Sequence, residues 1–298
     1  MKKNIENYKT VSYFAKIWNL SERSIRNYCS DNRISGAVLK SGTWYIPSDA
    51  VKPERLNKSN KKNHLLERIL IEKKSHISGG IYHKIQIDLT YNSNHIEGSK
   101  LTHDETRYIF ETKTIGTSKT KNIDDIVETV NHFKCIDLIF DNVNRKLSEA
   151  FIKKLHFTLK NGTTDSRVSW FNVGDYKKLP NEVSGQMTTK PSQVEKEIKK
   201  LLDKYNSKQI HDLEDLIDFH YKFEIIHPFQ DGNGRVGRLI LFKECLKNNI
   251  IPFIITDELK YYYYRGLKEW KKEKKYLMDT CLTAQDQFKK ILDYYEII

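Results

Sequence analysis

His227-Pro-Phe-Gln-Asp-Gly-Asn-Gly-Arg235, followed after two free positions by Arg238, gathers an imidazole, a carboxylate, an amide, glycines and two guanidiniums into one short stretch. Gly232 and Gly234 lack a Cβ, so the backbone there can take positive φ and aim successive N–H groups at one anion. Pro228 cannot sit inside a helix, so the apolar period running back through Leu213, Leu216, Ile217, Phe223 and Ile226 ends near His227. A second helix starts around Gly234 to Arg238 and continues through Leu239, Leu241, Phe242 and Leu246, with its electropositive amino end turned toward the same anion. Asp231 repels an anion unless a divalent cation bridges them, and Mg²⁺ (or Mn²⁺) is the expected ion. Arg235 and Arg238, at i and i+3, are both expected to clamp phosphates in fork geometry. His227 stands where it can take a proton from an incoming hydroxyl. The plain alternative is a helix-loop-helix turn with a glycine pair and a surface histidine. Such a turn needs neither Asp231 nor two arginines on the following helix.

The stretch resembles the signature of the Fic (filamentation induced by cAMP) family: His-Pro-Phe-x-Asp/Glu-Gly-Asn-Gly-Arg, two free positions, and a second Arg. Every fixed position is met. The resemblance implies a mainly α Fic fold and transfer of AMP from ATP to a hydroxyl side chain of a target protein. His227 would be the base and Asp231 the Mg²⁺ ligand. Phe229, Gly232, Asn233, Gly234, Arg235 and Arg238 would bind the nucleotide. Relatives that phosphorylate instead carry Lys at the position of Gly234, which favours nucleotidyl transfer here.

A second stretch fits the same family. Ser93-Asn-His-Ile-Glu-Gly98 closes a helix expected over about 81–98, and it resembles the Ser/Thr-x-x-x-Glu/Asp-Gly/Asn pattern of members restrained from their N-terminal side. Ser93, Glu97 and Gly98 are then the inhibitory residues. Glu97 would pair with Arg238, neutralise the group meant for the outer phosphate and block the productive ATP pose. A carboxylate there could also orient water for de-AMPylation. The bland reading is a helix-end Glu before a Gly cap.

The chain has 298 residues, enough for about two domains, with 30% charged residues, 17 Tyr and a net charge of +12. That charge suits an acidic partner or nucleotide, or reflects a generally Lys-rich proteome. Cys29, Cys135, Cys245 and Cys281 lie far apart, which suggests neither zinc nor a disulfide framework. No apolar run approaches signal-peptide or membrane-span length. A cytoplasmic protein is expected, and a homo-oligomer.

Residues 1–52 read as a unit of their own. Val11, Phe14, Ala15 and Trp18 recur at helical spacing, Ser21 caps a second helix, and strands flank Ser41-Gly42. This resembles a small winged helix-turn-helix of the excisionase or MerR-like sort. Its second helix would present Arg23, Arg26 and Asn27 to DNA. Residues 1–62 hold 9 Lys and 4 Arg against 5 acids. A protein-docking role for the same unit is the alternative. Residues 53–63 read as a linker.

From 64 to 298 the pattern is helical, with helices expected over 122–140 and 147–159 and a last one over about 276–295. His156 is read as structural. Between 161 and 191 helical periodicity is lost, and residues of about 172–190 are expected to form a hairpin flap. In Fic relatives such a flap pairs with the extended target segment. This chain has Lys177-Lys178 where those relatives often carry Arg after Gly-x-Tyr. In Lys260-Tyr-Tyr-Tyr-Tyr-Arg265, the resemblance implies that Tyr263 and Tyr264 wall the adenine, although core packing explains them equally well. The partners expected are a target protein, the chain itself by auto-AMPylation, and DNA. The rival reading is a DNA-binding regulator whose Fic fold senses nucleotide. An intact His227 argues against pure sensing, because binding ATP needs no general base.

Overall fold

A computed structural model describes residues 7–30, 33–53, 63–116, 120–183 and 185–297. Two bodies of unequal size follow one another. The first holds β1 (Tyr8–Thr10), α1 (Val11–Trp18), α2 (Glu22–Ser30), β2 (Val38–Lys40) and β3 (Thr43–Pro47). The strands form an antiparallel sheet in the order β1-β3-β2. Ser41 and Gly42 both take positive φ between β2 and β3, the twist that a two-residue hairpin turn requires. Phe14, Trp18, Ile25, Cys29 and Ile46 make a core separate from the rest. Most of the expected 53–63 linker lies outside the described residues. Its last residue, Asn63, caps the next helix and donates to the Leu246 carbonyl at 2.6 Å.

The larger body is helical: α3 (His64–Lys74), α4 (Ile81–Ile96), α5 (His103–Thr112), α6 (Ile123–Asp141), α7 (Glu149–Lys160), α8 (Pro191–Asn206), α9 (Leu213–Ile226), α10 (Asn233–Lys247), α11 (Lys260–Glu269) and α12 (Lys275–Tyr294). At its centre α10 is buried almost all round, with Val236, Leu239, Ile240, Phe242 and Leu246 packed against α4, α6, α7 and α9. Truncating one of these, such as Leu239→Ala, should cost about 2–5 kcal/mol. This packing fixes the amino end of α10, and with it the 227–232 loop, against the surrounding helices.

Two expectations change. The hairpin is shorter than 172–190, since β4 (Glu182–Val183) and β5 (Gln186–Met187) pair over only two residues each, with Gly185 at positive φ in the turn. Helix α5, not foreseen, starts at a capping box in which Thr102 Oγ1 accepts from the Glu105 amide and the Glu105 carboxylate accepts from the Thr102 amide.

Candidate active site

Helix α9 ends where Pro228 requires. His227 is its cap in the left-handed region (φ 50°), and its N–H still donates to the Phe223 carbonyl at 2.9 Å. The side chain lies back over the same helix end, with Nδ1 3.3 Å from the Glu224 carbonyl oxygen. A carbonyl accepts only, so Nδ1 carries the proton and Nε2 keeps its lone pair. Burial, and next the nearby Lys177 ammonium, lower the imidazole pKa to about 4. His227 is therefore neutral at pH 7 and able to accept a proton.

The loop beyond it is locked internally. The Phe229 amide donates to Asn233 Oδ1 at 2.7 Å, and Asn233 Nδ2 donates back to the Phe229 carbonyl at 2.9 Å. Phe229 is fully buried and lies parallel to His156 at 3.9 Å. Phe229 and Asn233, both expected to touch nucleotide, here hold the shape of the loop. His156 donates through Nε2 to the Asp231 carbonyl (3.2 Å) and accepts the Gly174 amide at Nδ1 (2.9 Å). Burial holds its pKa near 3, so this neutral ring is a structural strut, as read from sequence. Gly232 takes φ 78° at the cap of α10, a left-handed backbone that strains any residue with a side chain, although a Cβ there would meet its neighbours only at ordinary contact distance. The first amides of α10 lack intrahelical acceptors and lie at the electropositive helix end.

Asp231 and Arg235 belong to a charge network that sequence spacing did not reveal. Asp231 Oδ2 accepts from Lys160 Nζ at 2.7 Å and from Arg235 Nη2 at 3.1 Å. Lys160 also reaches Glu128 (2.5 Å) and Asp165 (3.1 Å), and Arg235 Nη1 binds the other oxygen of Glu128. Burial alone would raise the Asp231 pKa, but the two cations outweigh it and hold the carboxyl well below the usual range. Burial likewise opposes charge on Lys160, yet Asp231 and Glu128 keep it protonated. Arg235 is thus tied to Glu128 and Asp231, partners that the expectation of a second phosphate clamp did not include.

The Asp231 carboxyl is half exposed at the loop surface. Among the described residues no group of three or more His, Cys, Asp or Glu could hold a metal unaided. A single accessible carboxylate still fits Mg²⁺, which keeps several waters and takes its remaining ligands from phosphates.

Arg238 is also buried but meets different partners. Its Nε donates to Ser93 Oγ at 3.1 Å, and Nη2 donates to the Ser93 carbonyl at 2.8 Å and to Glu97 Oε1 at 2.7 Å. Burial opposes charge on Arg238, but Glu97 leads the contacts that hold its pKa above the usual value. Glu97 caps the carboxyl end of α4, where the helix dipole disfavours an anion, so the pairing offsets an unfavourable position. Gly98, at φ 101°, lets the chain turn away. A Cβ placed on Gly234 would collide with the Glu97 carboxylate, so that carboxylate lies directly over the glycine loop.

A cavity of about 410 Å³ opens at the carboxyl-terminal part of α9, lined by Val183, Met187 and Thr188 from the hairpin, Tyr221 and Glu224 from α9, and Tyr264 from α11. Tyr263 is turned into the core, its hydroxyl 2.6 Å from His220 Nε2, so only Tyr264 of the expected pair lines the space. In the N-terminal unit, Arg23 is engaged by α12, donating to Thr283 Oγ1 (2.7 Å) and the Leu282 carbonyl (3.3 Å) and pairing with Asp286. It does not point outward as the DNA reading expects. Arg26 is exposed and pairs with Glu22 one turn back, while Asn27 stays on the same helix.

Residues 146–244 match the Fic/DOC family model. Over 186 residues the chain is 28% identical to the protein adenylyltransferases Fic of Drosophila grimshawi and Drosophila mojavensis, matching 60% of this chain and 36% and 35% of theirs. It thus spans about a third of the length of these relatives. Among solved structures, a Fic-domain signalling protein of Bacteroides thetaiotaomicron superposes with a TM-score of 0.60 at 23% identity, over 76% of this chain and 92% of that one. Fic-1 of C. elegans superposes with a TM-score of 0.62 at 19% identity, over 80% and 68%. These likenesses establish the fold as Fic-type. No helix among the described residues is long and apolar enough to cross a membrane.

Proposed function

We propose that this chain, which carries a Fic-family domain, transfers AMP from ATP to a hydroxyl side chain of a protein and is restrained by its own Glu97. The observation that carries this reading is the convergence on one amino-terminal helix turn of a neutral base, His227, with Nε2 free, a glycine loop, and Arg238 held by Glu97. ATP would enter through the 410 Å³ cavity, with its base beside Tyr264 and its phosphates over the 232–234 amides. Mg²⁺, when bound, would be held by Asp231 and would neutralise phosphate charge as diphosphate leaves. His227 would take the proton of the attacking hydroxyl, and the hairpin would align the target segment by backbone pairing.

Glu97 blocks this pose in two ways, since it fills the space above Gly234 and satisfies Arg238. The same carboxylate could orient water for the reverse reaction. Auto-AMPylation follows once the restraint is lost. The nucleotide-sensing, DNA-binding alternative is weakened by the engagement of Arg23 with α12.

The test uses purified wild type, Glu97→Gly and His227→Ala with ATP labelled in either the α or the γ phosphate. Label from the α position alone should reach protein, most with Glu97→Gly and none with His227→Ala. Label arriving from the γ position would show a phosphoryl transferase instead.

A further inference from the structure

Lys177 lies ahead of the hairpin, is 3% exposed, and ends beside His227. Its three donors are all used: Nζ reaches Asn181 Oδ1 at 2.7 Å, Thr188 Oγ1 at 2.6 Å and the Ile226 carbonyl at 3.5 Å. Asn181 and Thr188 bracket β4 and β5, and Ile226 is the last residue of α9, so one ammonium holds both feet of the hairpin to the helix end that carries His227. The backbone repeats the link, because the Lys177 amide donates to the Pro228 carbonyl at 2.9 Å and Asn181 Nδ2 donates to the Phe229 carbonyl at 3.0 Å. Every side-chain partner is neutral, and among the described residues no carboxylate lies within ion-pair distance of Lys177. A buried cation without a counterion is costly, so a purely structural tether would be better made by a neutral side chain.

We infer that Lys177 is a positioning residue for the transfer reaction, clamping the hairpin and His227 into one unit and using its charge to keep the imidazole unprotonated. This deepens the transferase reading and rests on it for the identity of the base. The groups facing His227 are Lys177 from the hairpin approach, Glu224 through its carbonyl on α9, Glu97 from α4 and Asp231 from the loop. Of these only Lys177 disfavours the imidazolium by its charge; the two carboxylates favour it. Burial lowers the Lys177 pKa to about 8, so the clamp keeps most of its charge at neutral pH and loses it in mild alkali.

The test compares Lys177→Met and Lys177→Arg in the Glu97→Gly protein. The His227 ring resonance, identified by its loss in His227→Ala, is titrated by NMR, and amide exchange is followed over residues 181–188. Lys177→Met should raise the His227 midpoint by about one pH unit and speed exchange in the hairpin, and the acid limb of AMP transfer should move up with it. Lys177→Arg, which keeps the charge, should restore all three. If the Met variant fails to fold, Lys177→Gln replaces it. An unchanged His227 midpoint in the neutral variant overturns the proposal. If the Glu97→Gly parent transfers no AMP, the transferase reading fails, while titration and exchange still decide whether Lys177 acts on His227.

Discussion

Two clusters of charge grip α10 within one helical turn, and they are built for different lives. Around Arg235, two cations that are at most 4% exposed are shared among Glu128, Asp165 and Asp231, which come from separate elements. Losing any one acid would leave buried charge behind, so this cluster is permanent scaffold. Around Arg238 the acid that ion-pairs it, among the described residues, is Glu97, 28% exposed at the end of α4, with Ser93 beside it and the buried Glu224 carboxyl further off. One such contact can be exchanged for a phosphate without disturbing the core. Three residues along a helix rotate the side chain by about 300°, which leaves Arg235 and Arg238 only about 60° apart. That is enough to turn one toward α6 and α7 and the other toward α4.

The contrast can be broken at several points. Glu128→Ala should cost about 3–5 kcal/mol in denaturant unfolding, because Lys160 and Arg235 lose a shared carboxylate. A loss below about 1 kcal/mol would make that cluster a surface ornament. Glu97→Gly should cost only about 1 kcal/mol, in keeping with a partly exposed pair, while ATP affinity measured by calorimetry rises about tenfold, equivalent to about 1.4 kcal/mol. For the active protein, kcat/KM against pH should fall on the acid side only near pH 4, since the folded His227 pKa is about 4 and protonation removes the base. An acid limb at the ordinary histidine value would mean that His227 is not the buried base described. Asp286→Ala should change stability by no more than about 0.5 kcal/mol, as for other exposed pairs, and leave transfer untouched.

Much of the fold was legible because local chemistry decides it. Pro228 ends α9, the 3.6-residue period marks the long helices, and Ser41-Gly42 marks the β2–β3 turn. Helix α5 shows in sequence only through the capping box of Thr102 and Glu105, because Thr106 and Ile109 alone are buried and give no apolar period. Strand β1 carries too few residues to show a period and exists only by pairing with β3. At the site, His227, Asp231 and Glu97 stand out by chemical type and spacing. Lys160, Glu128 and Lys177 do not, because each acquires its meaning from partners on other elements. Arg235, Phe229, Asn233 and Tyr263 were legible as important, but their protein partners were not. Periodicity says which face a residue shares, not what covers that face.

Intact-mass analysis of Glu97→Gly after incubation with ATP and Mg²⁺, beside wild type and the Glu97→Gly/His227→Ala double variant, tests the latch and the base together. The account predicts added AMP on Glu97→Gly, little on wild type and none on the double variant. Equal modification of wild type and Glu97→Gly, or modification that survives loss of His227, would contradict it.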